Sequence, residues 1–305
     1  QNKNLKNLLV NLSSIFNIPE DKFDQDIKLF LINNFKNSEG KFFPKFSLIN
    51  SIISFVKNIL IFFWILLTQN KKKNKKIFFD IIVDDISHKN EAYRFKNFLK
   101  YFKKNIIISR VKLDQGFNFF LFNKYKNLNL QNSIHNKRIQ VLFFYLKVFL
   151  ISIRERTNYC EIIFNLIRTI IKYESIFSLI MGKYLIQERQ FTTSKLKNYL
   201  FKKNGGGKTV LFQRNIAQLN GPGMYTFCDF FFSLGNKTHL QYIKCKSHFE
   251  KIYPVGSFFM NSVKFDKLKK SNIPNFDLLH IASNMNYFQD THSKFMDDWM
   301  EQFNW

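Results

Sequence analysis

The apolar residues of this chain recur with two periods, one helical and one strand-like, and the change between them organises it. Between residues 1 and 46 they return every three or four positions, which predicts helices over Asn4 to Phe16 and Asp21 to Phe35, broken at Pro19 and near Gly40. SLINSIISFVKNILIFFWILLT, residues 47–68, predicts a longer helix of mixed character. Ser47, Asn50, Ser51, Ser54, Lys57 and Asn58 make a polar stripe at helical spacing, and only Ile59 to Leu67 is apolar all round. From Ile77 the pattern changes: IFFDIIVDDI predicts a strand, EAYRFKNFLKYF a helix and KNIIISRV a second strand. Strand, helix, strand at this length is a βαβ unit and the start of a parallel sheet.

Residues 137–180 carry long helical patterns, KRIQVLFFYLKVFLISIRE and CEIIFNLIRTIIKYESIFSLI. KYLIQERQ predicts another strand, followed by a helix from Thr193 to Lys203. Beyond it TVLFQRN, TFCDFFFSLG, EKIYPVGS and FDLLHIASN are four short β-like runs separated by helical or loop segments. KNGGGK, residues 203–208, is the clearest breaker and reads as a flexible turn at a domain boundary. The expected organisation is α/β, with two Rossmann-like domains. A helical arm (1–46), a membrane-associating helix with its basic block (47–76), a first Rossmann-like domain (77–203) and a second, incomplete one (204–305) follow in order. The chain opens on Gln1 without a methionine and stops at Trp305 in mid-pattern, so a fragment is expected.

Residues 47–68 are long enough to span a bilayer, for which about 20 residues suffice. The stripe argues against a span, because only the short second half is uniformly apolar. KKKNKK follows at once, and anionic headgroups attract such a block by about 1 kcal/mol per charge. An amphipathic helix lying in the membrane interface accounts for stripe, apolar end and basic block together; a single span and a buried core helix are the alternatives.

Composition tempers the reading of charge. The chain has 47 Lys and Arg against 22 Asp and Glu, a formal net charge of +25. Such a value ordinarily points to nucleic acid or an anionic membrane. Here, however, only eight of the basic residues are arginine, the residue that reads bases and phosphates bidentately. Lysine, asparagine, isoleucine and phenylalanine are all abundant, the profile of low-GC codon pressure, and nucleic acid is not the expected partner. Three cysteines without CxxC spacing argue for reduced thiols in a cytoplasmic setting.

Ligands of open parallel sheets bind outside the carboxyl ends of the strands, so the residues directly after each run are the candidates. They are Asp84, Asp85 and His88; Gln213, Arg214 and Asn215; Gly235, Asn236 and Lys237; Gly256 and Ser257; Ser283 and Asn284. Glycine and serine there permit close backbone approach, and a nearby helix N-terminus offers N–H groups to a phosphate. Arg189 and Arg214, rare in a lysine-rich chain, are the candidates for a diphosphate. His88 or Asp85 is the candidate base. Each position also has a plain structural use: Asp84 and Asp85 as helix caps, Gly235 and Gly256 as turns, His280 as a core residue, His292 beside Asp290 at a helix end. Asp24-Gln25-Asp26 is a DxD triplet, a motif that in some transferases holds a metal-bound nucleotide. No strand precedes it, and it reads as a solvated helix face. No metal-ligand spacing and no GxSxG elbow occurs.

Taken in order, IQERQFTTSKLKNYLFKKNGGGKTVLFQRN, DFFFSLGNKT, IYPVGSFFM and FDLLHIASN resemble bacterial surface-carbohydrate biosynthesis proteins: GT-B-type glycosyltransferases and CDP-glycerol glycerophosphotransferase-like enzymes. The resemblance covers residues 77–305 and is carried by order and spacing. It implies two Rossmann-like domains across a cleft, with the acceptor on the first and a nucleotide-activated donor on the second. It also implies metal-independent transfer of a sugar or polyol phosphate to a glycan or lipid-linked acceptor. Gln213, Arg214, Asn215, Gly256, Ser257, Ser283 and Asn284 would then face the donor. Relatives carry histidine where this chain reads Gln213-Arg214-Asn215. The location implied is cytoplasmic, peripheral on the inner face of the cell membrane. Two other classes stand beside it: a basic non-enzymatic protein associated with nucleic acid or ribosomes, and a catalytically inactive scaffold of the same fold.

Overall fold

The computed structural model describes residues 3–37, 46–67, 76–84, 106–108, 120–121, 137–187, 193–213 and 225–256. The chain divides into two compact units, Gln1–Val263 and Lys264–Trp305, and all described residues belong to the first. Helices α1 (Lys3–Phe16), α2 (Asp24–Asn37) and α3 (Leu48–Leu67) precede strand β1 (Ile77–Asp84). The short strands β2 (Ile106–Ile108) and β3 (Phe120–Leu121) follow, then helices α4 (Arg138–Arg154) and α5 (Tyr159–Leu179). Strand β4 (Ile180–Gln187), helix α6 (Lys195–Lys203), strands β5 (Lys208–Phe212) and β6 (Phe227–Ser233), helix α7 (Thr238–Lys244) and strand β7 (His248–Pro254) complete the set.

The seven strands among the described residues form one parallel sheet in the order β3-β2-β1-β4-β5-β6-β7. Its first six strands follow the order of doubly wound, Rossmann-like sheets. β1 and β4 are the central pair, in register from Ile77↔Ile180 to Asp84↔Gln187. Ile81, Ile82 and Val83 are all fully buried, as the apolar run of a central parallel strand requires.

The sheet overturns the boundary expected between residues 203 and 204. β4 and β5 lie on either side of it and pair from Tyr184↔Lys208 to Gln187↔Leu211. The Gly205-Gly206-Gly207 run is a fixed joint within the sheet. Gly205, at φ +90°, is the left-handed residue that ends α6. Its N–H reaches the Lys202 carbonyl (3.0 Å) and the Gly206 N–H reaches that of Phe201 (2.9 Å), a Schellman closure. Gly207 then donates to the Gly182 carbonyl (2.9 Å) while its Cα lies so close to β4 that a methyl group there would sit 2.2 Å from the Lys183 carbonyl oxygen.

Nor do the described residues 3–37 form a separate arm. Leu5, Leu8, Leu12 and Phe16 of α1, with Phe23 and Ile27, join the main hydrophobic core with β1, β4 and α4 to α6. Lysines from distant elements close the end of α1: Lys137 donates to the Ile15 carbonyl (2.6 Å), and Lys203 to that of Phe16 (3.3 Å) and to Glu174 (3.0 Å). A second core, Leu211, Cys228, Phe231 and Tyr242, lies under β5, β6 and α7.

Helix α3 forms as expected, with part of its polar stripe turned inward. Ser51, Asn58 and Phe62 are buried, Phe55 stacks on Phe149 of α4 (ring centroids 4.7 Å), and Phe62 meets Tyr145 edge-on. Asn50 and Lys57 of the polar stripe stay exposed and Ile49, Ile52 and Ile53 face outward, while Ser51 and Asn58 face inward. Asn58 manages this by donating to the Ser54 carbonyl of its own helix (2.7 Å). No helix among the described residues is long and apolar enough to cross a membrane.

Candidate functional site at the strand ends

In a doubly wound sheet the crevice opens where the chain, having run one way from the centre, starts again in the other direction. Here that is between β1 and β4. Asp84 ends β1, Gln187 ends β4, and the two are register partners. The first turn of α6 supplies the groups that meet them. Lys197 Nζ lies 3.0 Å from Asp84 Oδ2, with side chains 1% and 6% exposed. The same ammonium faces the Tyr173 ring of α5 at 5.6 Å. Gln187 donates from Nε2 to Asn198 Oδ1, and Asn198 donates to the Phe227 carbonyl (2.7 Å). Gln187 Oε1 is buried without a hydrogen-bond partner among the described residues. For a lysine and an aspartate removed from water, close pairing offsets part of the desolvation cost of each.

The start of α6 is held by the DQD triplet, which the sequence reading placed on a solvated face. Only Asp24 is exposed. Gln25 is fully buried and donates to Thr193 Oγ1 (3.2 Å) and to the carbonyls of Thr193 (3.1 Å) and Tyr225 (2.7 Å). Ser194 caps α6, accepting the Lys197 N–H (3.0 Å), and donates to both oxygens of Asp26 (2.8 and 3.0 Å). Burial pushes the Asp26 carboxyl up to about 6, against the lowering pull of Ser194, the Leu196 N–H and Lys197. The N-terminus of α6 is thus filled by the chain's own carboxylate and is closed to an external phosphate.

A second polar cluster joins β5 to β6. Asp229 accepts from the Thr209 N–H (2.7 Å) and hydroxyl (2.9 Å) and from Lys202. Burial alone would raise Asp229; Lys202 and Thr209 together hold it below the ordinary carboxylate value.

Of the strand-end candidates, Asp84, Gln213, Gly235, Asn236, Lys237 and Gly256 are among the described residues. Gln213 is buried after β5, where its N–H donates to the Phe232 carbonyl (2.9 Å) and its Oε1 accepts from the Leu234 N–H (2.9 Å). It ties β5 to the end of β6. Gly256 follows β7 with φ +78° and open space where a side chain would stand. β7 lies three strands from β4, roughly 14 Å at the usual spacing, so Gly256 is not at the crevice between β1 and β4. Asp85, His88, Arg189, Arg214, Asn215, Ser257, Ser283 and Asn284 lie outside the described residues, as do the expected helix over residues 91–102 and the run FDLLHIASN. Gly235 forms the strand-to-helix turn expected of it, its carbonyl accepting from Ser233 (3.2 Å).

Lys197 was the residue the sequence reading passed over. Its signal is its place in KLKNYLFKK, one position after Leu196 and four before Phe201, on the apolar stripe of α6. Among the described residues no group of three or more His, Cys, Asp or Glu side chains could hold a metal ion. Comparison with family models, curated proteins and solved structures finds no match to the chain in any of them.

Proposed function

We propose that this chain is a transferase that takes a nucleotide-activated donor at the crevice between β1 and β4 and passes a sugar or polyol phosphate to an acceptor hydroxyl. The observation that carries the reading is the strand order, with its reversal at β1 and β4, where the Asp84 that ends β1 forms a buried pair with Lys197 of the helix after β4. Charged groups kept out of water at a sheet crevice are a recurrent mark of functional sites.

The sequence adjacent to those strand ends supplies the remaining roles. Asp85 and His88 follow directly on β1, and Arg189 stands two residues beyond β4. The acceptor oxygen attacks the donor's anomeric carbon or phosphorus while its proton passes to His88 or Asp85. The nucleotide departs with the electrons of the broken bond, and Arg189 meets its charge. Arg214 and Asn215 follow β5, one strand further on. Ser257, Ser283 and Asn284 are kept as donor contacts on the resemblance alone, and a GT-B-like pair of domains rests on it too. The acceptor class is a surface glycan or a lipid-linked intermediate, and no metal is required.

Calorimetric titration of the intact chain with UDP, CDP and CMP tests this. Saturable binding of at least one nucleotide, weakened at least tenfold by Arg189→Ala, is the expected result. Absence of nucleotide binding, together with RNA binding that falls steeply as salt rises, would replace the transferase by the basic, non-enzymatic alternative.

A further inference from the structure

Helices α3 and α4 present the same surface twice. On α3, Ile53, Val56 and Leu60 lie along one exposed arc, and Lys57 and Asn50 border it. On α4, Phe143, Leu146 and Leu150 form the equivalent arc, bordered by Lys147 and Gln140. Leu60 is 62% exposed and Phe143 68%. The two helices touch through Phe55 on Phe149 and Phe62 on Tyr145, so residue numbers rise along one as they fall along the other. In that antiparallel arrangement both arcs turn away from the buried face, and most of the exposed large apolar side chains among the described residues are gathered on these two helices.

The charge around the arcs selects the occupant. Neither helix contains a single aspartate or glutamate; their only charged residues are Lys57, Arg138, Lys147 and Arg154. KKKNKK follows α3 in the chain. A protein partner, or a second copy of this face, would offer no counter-charge unless its own surface were acidic. An anionic bilayer offers both halves at once, acyl chains for the arcs and phosphates for the lysines. Lysine at an arc's border reaches headgroups with its ammonium while its stem stays apolar.

We propose that α3 and α4 together form a docking face for an anionic lipid bilayer, lying side by side in the interface without crossing it. This does not rest on the transferase reading, since the face lies on helices other than those that build the crevice.

The test is co-sedimentation of the intact chain with vesicles of phosphatidylcholine, alone or mixed equally with phosphatidylglycerol. The chain is expected to pellet with the mixed vesicles and much less with the neutral ones. Ile53→Gln with Leu60→Gln lowers the partition about tenfold or more, as removal of two apolar contacts implies. Phe143→Gln with Leu150→Gln does the same, although these residues are on a different helix. Lys57→Gln with Lys147→Gln weakens binding to mixed vesicles only. Because all six side chains are exposed, thermal unfolding of each variant stays within a few degrees of the parent. Failure of the parent to bind either vesicle would overturn the proposal. So would vesicle binding that the α4 variant leaves intact, or a parent dimer that the glutamines dissociate.

Discussion

Lys197 Nζ stands 3.0 Å from Asp84 Oδ2, and neither side chain is open to water. The aspartate ends the first strand of the sheet and the lysine begins the helix after the fourth. One ion pair therefore fastens the end of β1 to the helix that follows β4, beside the point where the sheet reverses its direction of growth.

Replacing Lys197 with methionine removes a close ammonium from the buried Asp84. The expected loss is about 3–5 kcal/mol in urea unfolding. Asp84→Asn combined with Lys197→Met recovers part of it, because no charge is then stranded. A double variant as unstable as the single one would show that the pair is held by its surroundings and not by its partner.

Asp26 gives the chain an unusual pH response. Its folded value of about 6 lies above the ordinary carboxylate range, so between about pH 4 and 6 the folded chain holds a proton that the unfolded chain has released. Stability contributed by this group thus falls as pH rises through that window, by about 3 kcal/mol at most. Asp26→Asn should flatten that slope in denaturant melts taken across it, keeping the acceptor for the Leu196 N–H.

Asp229 has the opposite sign. Its value is held below the ordinary one, so its contribution is complete above pH 4 and lost on acidification. Asp229→Ala leaves the buried Thr209 N–H without its acceptor and should cost about 2–3 kcal/mol at neutral pH. The variant's acid transition is expected to begin from a lower plateau and to be shallower than the parent's.

The glycine joint makes two separable predictions. Gly205→Ala places a side chain at φ +90° and should cost about 1–2 kcal/mol. Gly207→Ala meets the Lys183 carbonyl oxygen at 2.2 Å and has to push β4 and β5 apart, costing about 3 kcal/mol. Measured melting temperatures should rank the second variant below the first.

Much of the helix and strand pattern was legible because it is written in local periodicity. The runs IFFDIIVDDI, KYLIQERQ and TVLFQRN became β1, β4 and β5, and the long helices fell where their stripes placed them. What stayed hidden depends on partners distant in sequence. Glycines between a helix and a strand look like a linker unless the neighbouring carbonyl is known, and Lys183 is two dozen residues away. A serine and asparagine stripe looks solvated until Ser51 and Asn58 are seen turned inward, where Asn58 bonds its own helix. Lys197 looked like one of many lysines, and only the position of Asp84 gives it meaning.

Gln25 bonds to Tyr225, two hundred residues along the chain. During synthesis, therefore, the first two helices leave the ribosome long before the segment that covers them exists. Leu5, Leu8 and Leu12 share a core that extends to Phe201, so they wait uncovered until that residue has emerged. A fold closed by contacts this distant in sequence forms late and slowly. Its nascent form, more than its finished one, is where a chaperone would be needed.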